Sequence, residues 1–205
     1  MTKASVLQAK NLTKSYGKVK VLKGITLEVF QSEIISIVGA SGAGKSTLLH
    51  ILGTLENEDS GELIIDLQEV QKLGGKEIAS FRNSTIGFVF QFHNLLPEFT
   101  ALENVLMPAL ISGKDNKETK AYAEELFNIL SITDRKSHKP SQLSGGEQQR
   151  VAVARALINK PKIIFADEPS GNLDSASAEA LHNLFFKLRD ELGQTFVIVT
   201  HNEHL

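Results

Sequence analysis

The order of apolar and polar positions divides the chain into strand-like and helix-like stretches. Residues 5–12 alternate loosely and residues 25–29 (ITLEV) alternate cleanly, with Tyr16, Gly17 and Lys18 as a turn signal between them; residues 5–30 therefore predict short strands joined by turns. Residues 33–38 (EIISIV), 87–91 (GFVFQ), 162–168 (KIIFADE) and 196–200 (FVIVT) are short, nearly unbroken apolar runs. Runs of that length predict buried strands. Residues 61–67 add one more stretch of strand character. Helical spacing appears at 46–55 through Leu48, Leu49, Ile51 and Leu52, and at 117–130 through Tyr122, Leu126, Ile129 and Leu130. It returns at 176–192, where Leu181, Leu184, Phe185 and Leu188 share a face and Gly193 follows as a helix stop. Thr100 with Glu103, and Ser144 with Glu147, have the spacing of capping boxes, the second opening a helix over 148–159. Strands and helices alternate except across about residues 95–160, which read as helical, so the fold class is α/β.

Composition narrows the function classes. With 205 residues, 41% hydrophobic and 22% charged, the chain fits one domain with a sizeable core. The net charge of −2 supplies no overall basic footprint for a nucleic acid. Without cysteine there is no disulfide framework, thiolate nucleophile or Cys-ligated zinc. No apolar run reaches bilayer-spanning length, and residues 1–17 lack the apolar stretch of a signal peptide. A membrane role is expected to act through a partner.

The candidate chemistry sits at the carboxyl ends of the buried-type strands. Gly39, Ala40, Ser41, Gly42, Ala43, Gly44, Lys45 and Ser46 match G-x-x-x-x-G-K-[ST], after a strand and before a helix, with Thr47 next. Glycines let backbone N–H groups curl around phosphate oxygens, and the helix N-terminus adds partial positive charge. Lys45 is expected to reach the β- and γ-phosphates and Ser46 to ligate Mg²⁺. The run KIIFAD ends in Asp167, a second carboxylate placed for Mg²⁺, and Glu168 follows as a general base for an attacking water. Gln91 and His201 close two further strands, so a phosphate cradle, an amide, two carboxylates and an imidazole are all expected at one edge of a sheet. Ser144, Gly145, Gly146 and Glu147 begin another helix, and two successive glycines there cost helix propensity that capping alone does not require. They suit a second anion-binding helix start. One ATP would touch both helix starts if two chains paired head to tail.

With LSGGEQ at 143–148, the chain resembles the ATP-binding subunits of ABC transporters along nearly all its length. That resemblance implies a P-loop ATPase fold: a mainly parallel core sheet, an N-terminal antiparallel β subdomain and an inserted helical subdomain. It places the core and β subdomain at 1–94 and 161–205, and the helical subdomain with the signature at 95–160. It implies ATP hydrolysis with Mg²⁺, catalysed by Glu168, His201, Gln91 and Lys45, with Ser46, Gln91 and Asp167 at the metal. Tyr16 would stack on adenine, and Ser144, Gly145, Gly146 and Glu147 would close over the ATP of the opposite subunit. Residues 170–174 (SGNLD) resemble the loop that communicates across that dimer. The partners implied are a second copy and integral membrane subunits docking near Gln91, with no nucleic acid, at the cytoplasmic face of the inner membrane. Residues 87–111 and the run DEPSGNLD are similar to the ATPases of lipoprotein-releasing transporters of Gram-negative bacteria; macrolide-export and cell-division ATPases share part of this pattern. Phe92, Leu95, Leu96 and Phe99 would meet the membrane subunit. The family usually continues through another short strand pair, whereas this sequence stops four residues past His201.

Overall fold

The computed structural model describes residues 4–201, so the tail ending at Leu205 lies outside it. Its elements are β1 (Ser5–Tyr16), β2 (Val19–Phe30), β3 (Ile34–Val38), α1 (Lys45–Leu52), β4 (Ser60–Ile65), β5 (Gln68–Glu69) and α2 (Gly75–Thr85). There follow β6 (Ile86–Phe90), α3 (Ala101–Ile111), α4 (Lys117–Ile129), α5 (Gly145–Leu157), β7 (Ile163–Asp167), α6 (Ser175–Leu192) and β8 (Phe196–Thr200). One sheet has the order β2-β1-β4-β5 and is antiparallel; the other has the order β3-β8-β7-β6 and is parallel.

The unbroken apolar runs are explained by what lies on each face of the parallel sheet. Ile164, Ala166, Phe196 and Ile198 enter a core shared with α3, α4, α5 and α6. Their neighbours Ile163, Phe165, Val197 and Val199 enter a second core shared with α1 and the antiparallel sheet. Period two along a strand sends alternate side chains to opposite faces, so a strand with a core on each side must be apolar throughout. β3 departs from its expected burial. At the sheet edge, Ile34, Ile35, Ser36 and Ile37 are only partly covered and Val38 is exposed.

The helices form where caps and periodicity coincide. Thr100 opens α3 by accepting from the Glu103 N–H while the Glu103 carboxylate accepts from the Thr100 N–H. Asp174 caps α6 by accepting from the Ser177 N–H, and Gly193 ends it at φ 66. The helix expected at 46–55 is shorter, ending at Leu52 with Gly53 as its C-cap. No sequence pattern pointed to α2, which buries only Thr85 and packs Ile78 and Phe81 against the second core. Among the described residues no helix is long and apolar enough to cross a membrane.

Candidate active site

Strand register brings the predicted residues together. Val38 pairs with Thr200, Val199 with Asp167, and Asp167 with Phe90, so the four parallel strands end level. The residues that follow, from Gly39, His201, Glu168 and Gln91, therefore leave the sheet at one edge. Gly44 turns the loop into α1 at φ 86, and a Cβ there would stand 2.6 Å from Val21 Cγ1. Only glycine meets both demands. Lys45 starts α1 and its Nζ donates to the carbonyls of Gly39 (2.8 Å) and Ala40 (3.0 Å), so its ammonium lies across the mouth of the loop. Gly39, Ala40, Ser41, Gly42 and Ala43 are all exposed, and Ser46 and Thr47 form the first turn of α1.

From that turn the Ser46 hydroxyl donates to Asp167 Oδ1 at 3.2 Å. Burial pushes the Asp167 carboxyl above its ordinary range, against the pull of the Ser46 hydrogen bond and nearby His50. A half-buried carboxylate that resists ionising alone is a ready ligand for a cation. Next to it, Glu168 sits at φ 44, a left-handed conformation that costs a residue with a side chain about 1–3 kcal/mol. Three contacts hold it there: its N–H donates to Val199 O, its carbonyl accepts from the Gly171 N–H, and its Oε2 lies 3.1 Å from His201 Nδ1. Gln91 is fixed by a reciprocal pair with Asn172, each amide bonding the other residue at 3.1–3.2 Å. A Cβ on Gly171 would come within 2.8 Å of the Gln91 amide nitrogen, so a larger residue there would make the Gln91 side chain shift.

Tyr16 ends β1 half-exposed. Its hydroxyl donates to both carboxylate oxygens of Glu56 at 2.6 and 2.7 Å, and Lys14, itself paired with Glu56, sits 5.6 Å from the ring centroid. Ser144, Gly145, Gly146 and Glu147 form the start of α5. Ser144 and Glu147 bond each other as a capping box, and Glu147 Oε1 accepts from Arg135 at 2.6 Å. The Arg135 guanidinium, with the Ser144 N–H, holds the Glu147 carboxyl down at about 2. The hydrogen bonds of this group run to one another and to Arg135, not to the P-loop or the carboxylates.

A family model described as "ABC transporter" matches residues 22–171. The chain belongs to the ABC transporter family. Two relatives, both called lipoprotein-releasing system ATP-binding protein LolD, come from Porphyromonas gingivalis and Geobacter metallireducens. The first is 60% identical over 98% of this chain and 91% of its own length, the second 53% identical over 98% and 92%. In structure, the ABC ATPase superposes at a TM-score of 0.84 on the cassette MJ0796, solved as a dimer in a post-hydrolysis state with ADP and Pi; that protein is 43% identical, over 96% of this chain and 88% of its own. The expected α/β ABC cassette fold is therefore observed.

The geometry of this ABC ATPase also brings in residues that the sequence did not single out. Glu56 and Lys14 hold Tyr16, Arg135 holds Glu147, and Arg155 donates to the carbonyls of His93 and Asn94 just after Gln91. None lies in a contiguous motif, so no local pattern marks them. Of the apolar residues after Gln91, Phe92, Leu96 and Phe99 are exposed, whereas Leu95 packs against the helical core and leaves the expected docking group.

Proposed function

We propose that this chain binds ATP between two copies of itself and hydrolyses it to ADP and phosphate, powering integral membrane subunits that release lipoproteins from the inner membrane. One observation carries the reading: Ser46 with Asp167, and Glu168 with His201, meet at the level ends of adjacent parallel strands beside the P-loop. Lys45 and the N–H groups of the loop hold the β- and γ-phosphates, and Tyr16 takes the adenine on its ring. Ser46 and Asp167 offer Mg²⁺ two hard oxygen donors, with Gln91 nearby. Bound there, Mg²⁺ supplies charge neutralisation on the phosphates.

Glu168 accepts a proton from the water that attacks the γ-phosphorus, as the bond to the β-bridging oxygen breaks and ADP leaves. His201 orients that carboxylate and donates toward the γ-phosphate. Ser144, Gly145, Gly146 and Glu147 close over ATP held by the opposite copy. Packing within this chain does not demand the two glycines: a Cβ on Gly145 or Gly146 would meet its nearest neighbour at 3.6 or 3.7 Å, an ordinary contact. Their small size is left for a ligand from outside the chain. Membrane subunits dock on exposed Phe92, Leu96 and Phe99, next to Gln91.

The test is ATP turnover by the purified chain alone and reconstituted with its membrane subunits in liposomes carrying a lipoprotein. Stimulated hydrolysis together with lipoprotein leaving the vesicles is expected. ATP binding without turnover in either state contradicts the reading.

A further inference from the structure

A cavity of about 430 Å³ opens behind the catalytic strand ends, lined by Glu168, Ser170, Glu179, His182, Thr200 and His201 among others. Of this group, His182, like Glu179, belongs to no contiguous motif. It lies on α6, half-buried, with Nε2 3.3 Å from Ser170 Oγ. Ser170 is the third residue of the tight turn that begins at Glu168 and closes through the Gly171 N–H on the Glu168 carbonyl.

We propose that His182 is a positioning residue for ATP hydrolysis, anchoring Ser170 to α6 and so holding the left-handed turn that aims the Glu168 carboxylate. A glutamate at φ 44 persists only where its surroundings over-determine it. Two of the restraints on Glu168 come from the sheet side, through Val199 and His201. On the turn's far side Asn172 is paired with Gln91, and the Ser170 hydroxyl itself is tied to α6 through the His182 imidazole. α6 is a firm post for such a tie: eighteen residues long, capped at both ends, with Leu181, Leu184, Phe185 and Leu188 buried in the helical core. Burial keeps the His182 imidazole below its ordinary pKa, so the ring is neutral and can share a hydrogen bond with a hydroxyl in either sense. His182 touches neither the P-loop nor the metal-side pair of Ser46 and Asp167. Its loss should therefore alter the chemical step and leave ATP binding in place.

This inference rests on Glu168 being the general base, so the experiment carries Glu168→Gln alongside. Steady-state ATP hydrolysis is measured for His182→Phe, His182→Gln, Ser170→Ala and the double variant His182→Phe/Ser170→Ala. Expected are a fall in kcat of about five- to tenfold for His182→Phe and for Ser170→Ala, the worth of one neutral hydrogen bond, with KM for ATP unchanged. The double variant should be no slower than either single one. His182→Gln, which restores a hydrogen-bonding amide, should recover most of the loss. Wild-type kcat in His182→Phe, multiplied losses in the double variant, or a loss in His182→Gln as deep as in His182→Phe would each overturn the proposal. If Glu168→Gln itself keeps wild-type turnover, the general-base assignment fails instead.

Discussion

At the residue scale, the Glu147 carboxylate is the most strongly tuned group at the start of α5. Held at about 2 against an ordinary 4.5, it contributes stability that is fully present above about pH 4.5 and is lost as pH falls toward 2. Arg135→Met should raise its titration midpoint toward 4.5 without reaching it, because the Ser144 N–H still donates to the carboxylate. Carboxyl-carbon NMR would show the change; a midpoint still at about 2 would remove Arg135 as the cause. The same guanidinium illustrates what a sequence can reveal. Gly39 to Ser46, Asp167, Glu168 and His201 were legible because each belongs to a short contiguous pattern or closes an apolar strand. Arg135, Glu56, Asn172 and His182 were not. A single polar residue on a turn or helix reads the same whether it faces water or supports a reactive neighbour.

At the element scale, α5 links two parts of the proposed site. Its first turn carries Ser144, Gly145 and Gly146, and near its other end Arg155 clasps the carbonyls of His93 and Asn94. Arg155 is partly buried and its pKa is lowered by that burial, and the two carbonyls accept from its guanidinium. Arg155→Met should destabilise the fold by about 1–3 kcal/mol, read by urea unfolding, since both carbonyls lose their donor. On the proposed docking at Phe92, Leu96 and Phe99, it should also weaken stimulation by the membrane subunits. Full stability together with full stimulation would show the clasp to be idle. The strands show why elements differ in legibility. β7 and β8 alternate between two cores, and that demands apolar residues throughout. The sequence of β3 looks the same as theirs, yet it stands at an edge, because strand order is a property of the whole sheet. α2 escaped prediction because it has only Ile78 and Phe81 to bury, too few to set a period.

At the scale of the whole molecule, the chain holds both halves of the proposed ATP site without joining them. The phosphate loop and the carboxylates lie at one sheet edge, and the start of α5 spends its hydrogen bonds on itself and Arg135. In the proposed function a second copy supplies the missing half; the related cassette MJ0796 is dimeric. Ser144→Arg should leave ATP affinity within about threefold of wild type while abolishing turnover, as expected of a group that acts on the other copy's ATP at the transition state. A large loss of affinity, measured by calorimetry, would place Ser144 in its own chain's binding site instead. The shared-site claim is met most directly by light scattering on Glu168→Gln at saturating ATP and Mg²⁺. The account predicts a stable dimer that reverts to monomer when ATP is withdrawn. A chain that stays monomeric at saturating ATP would contradict it.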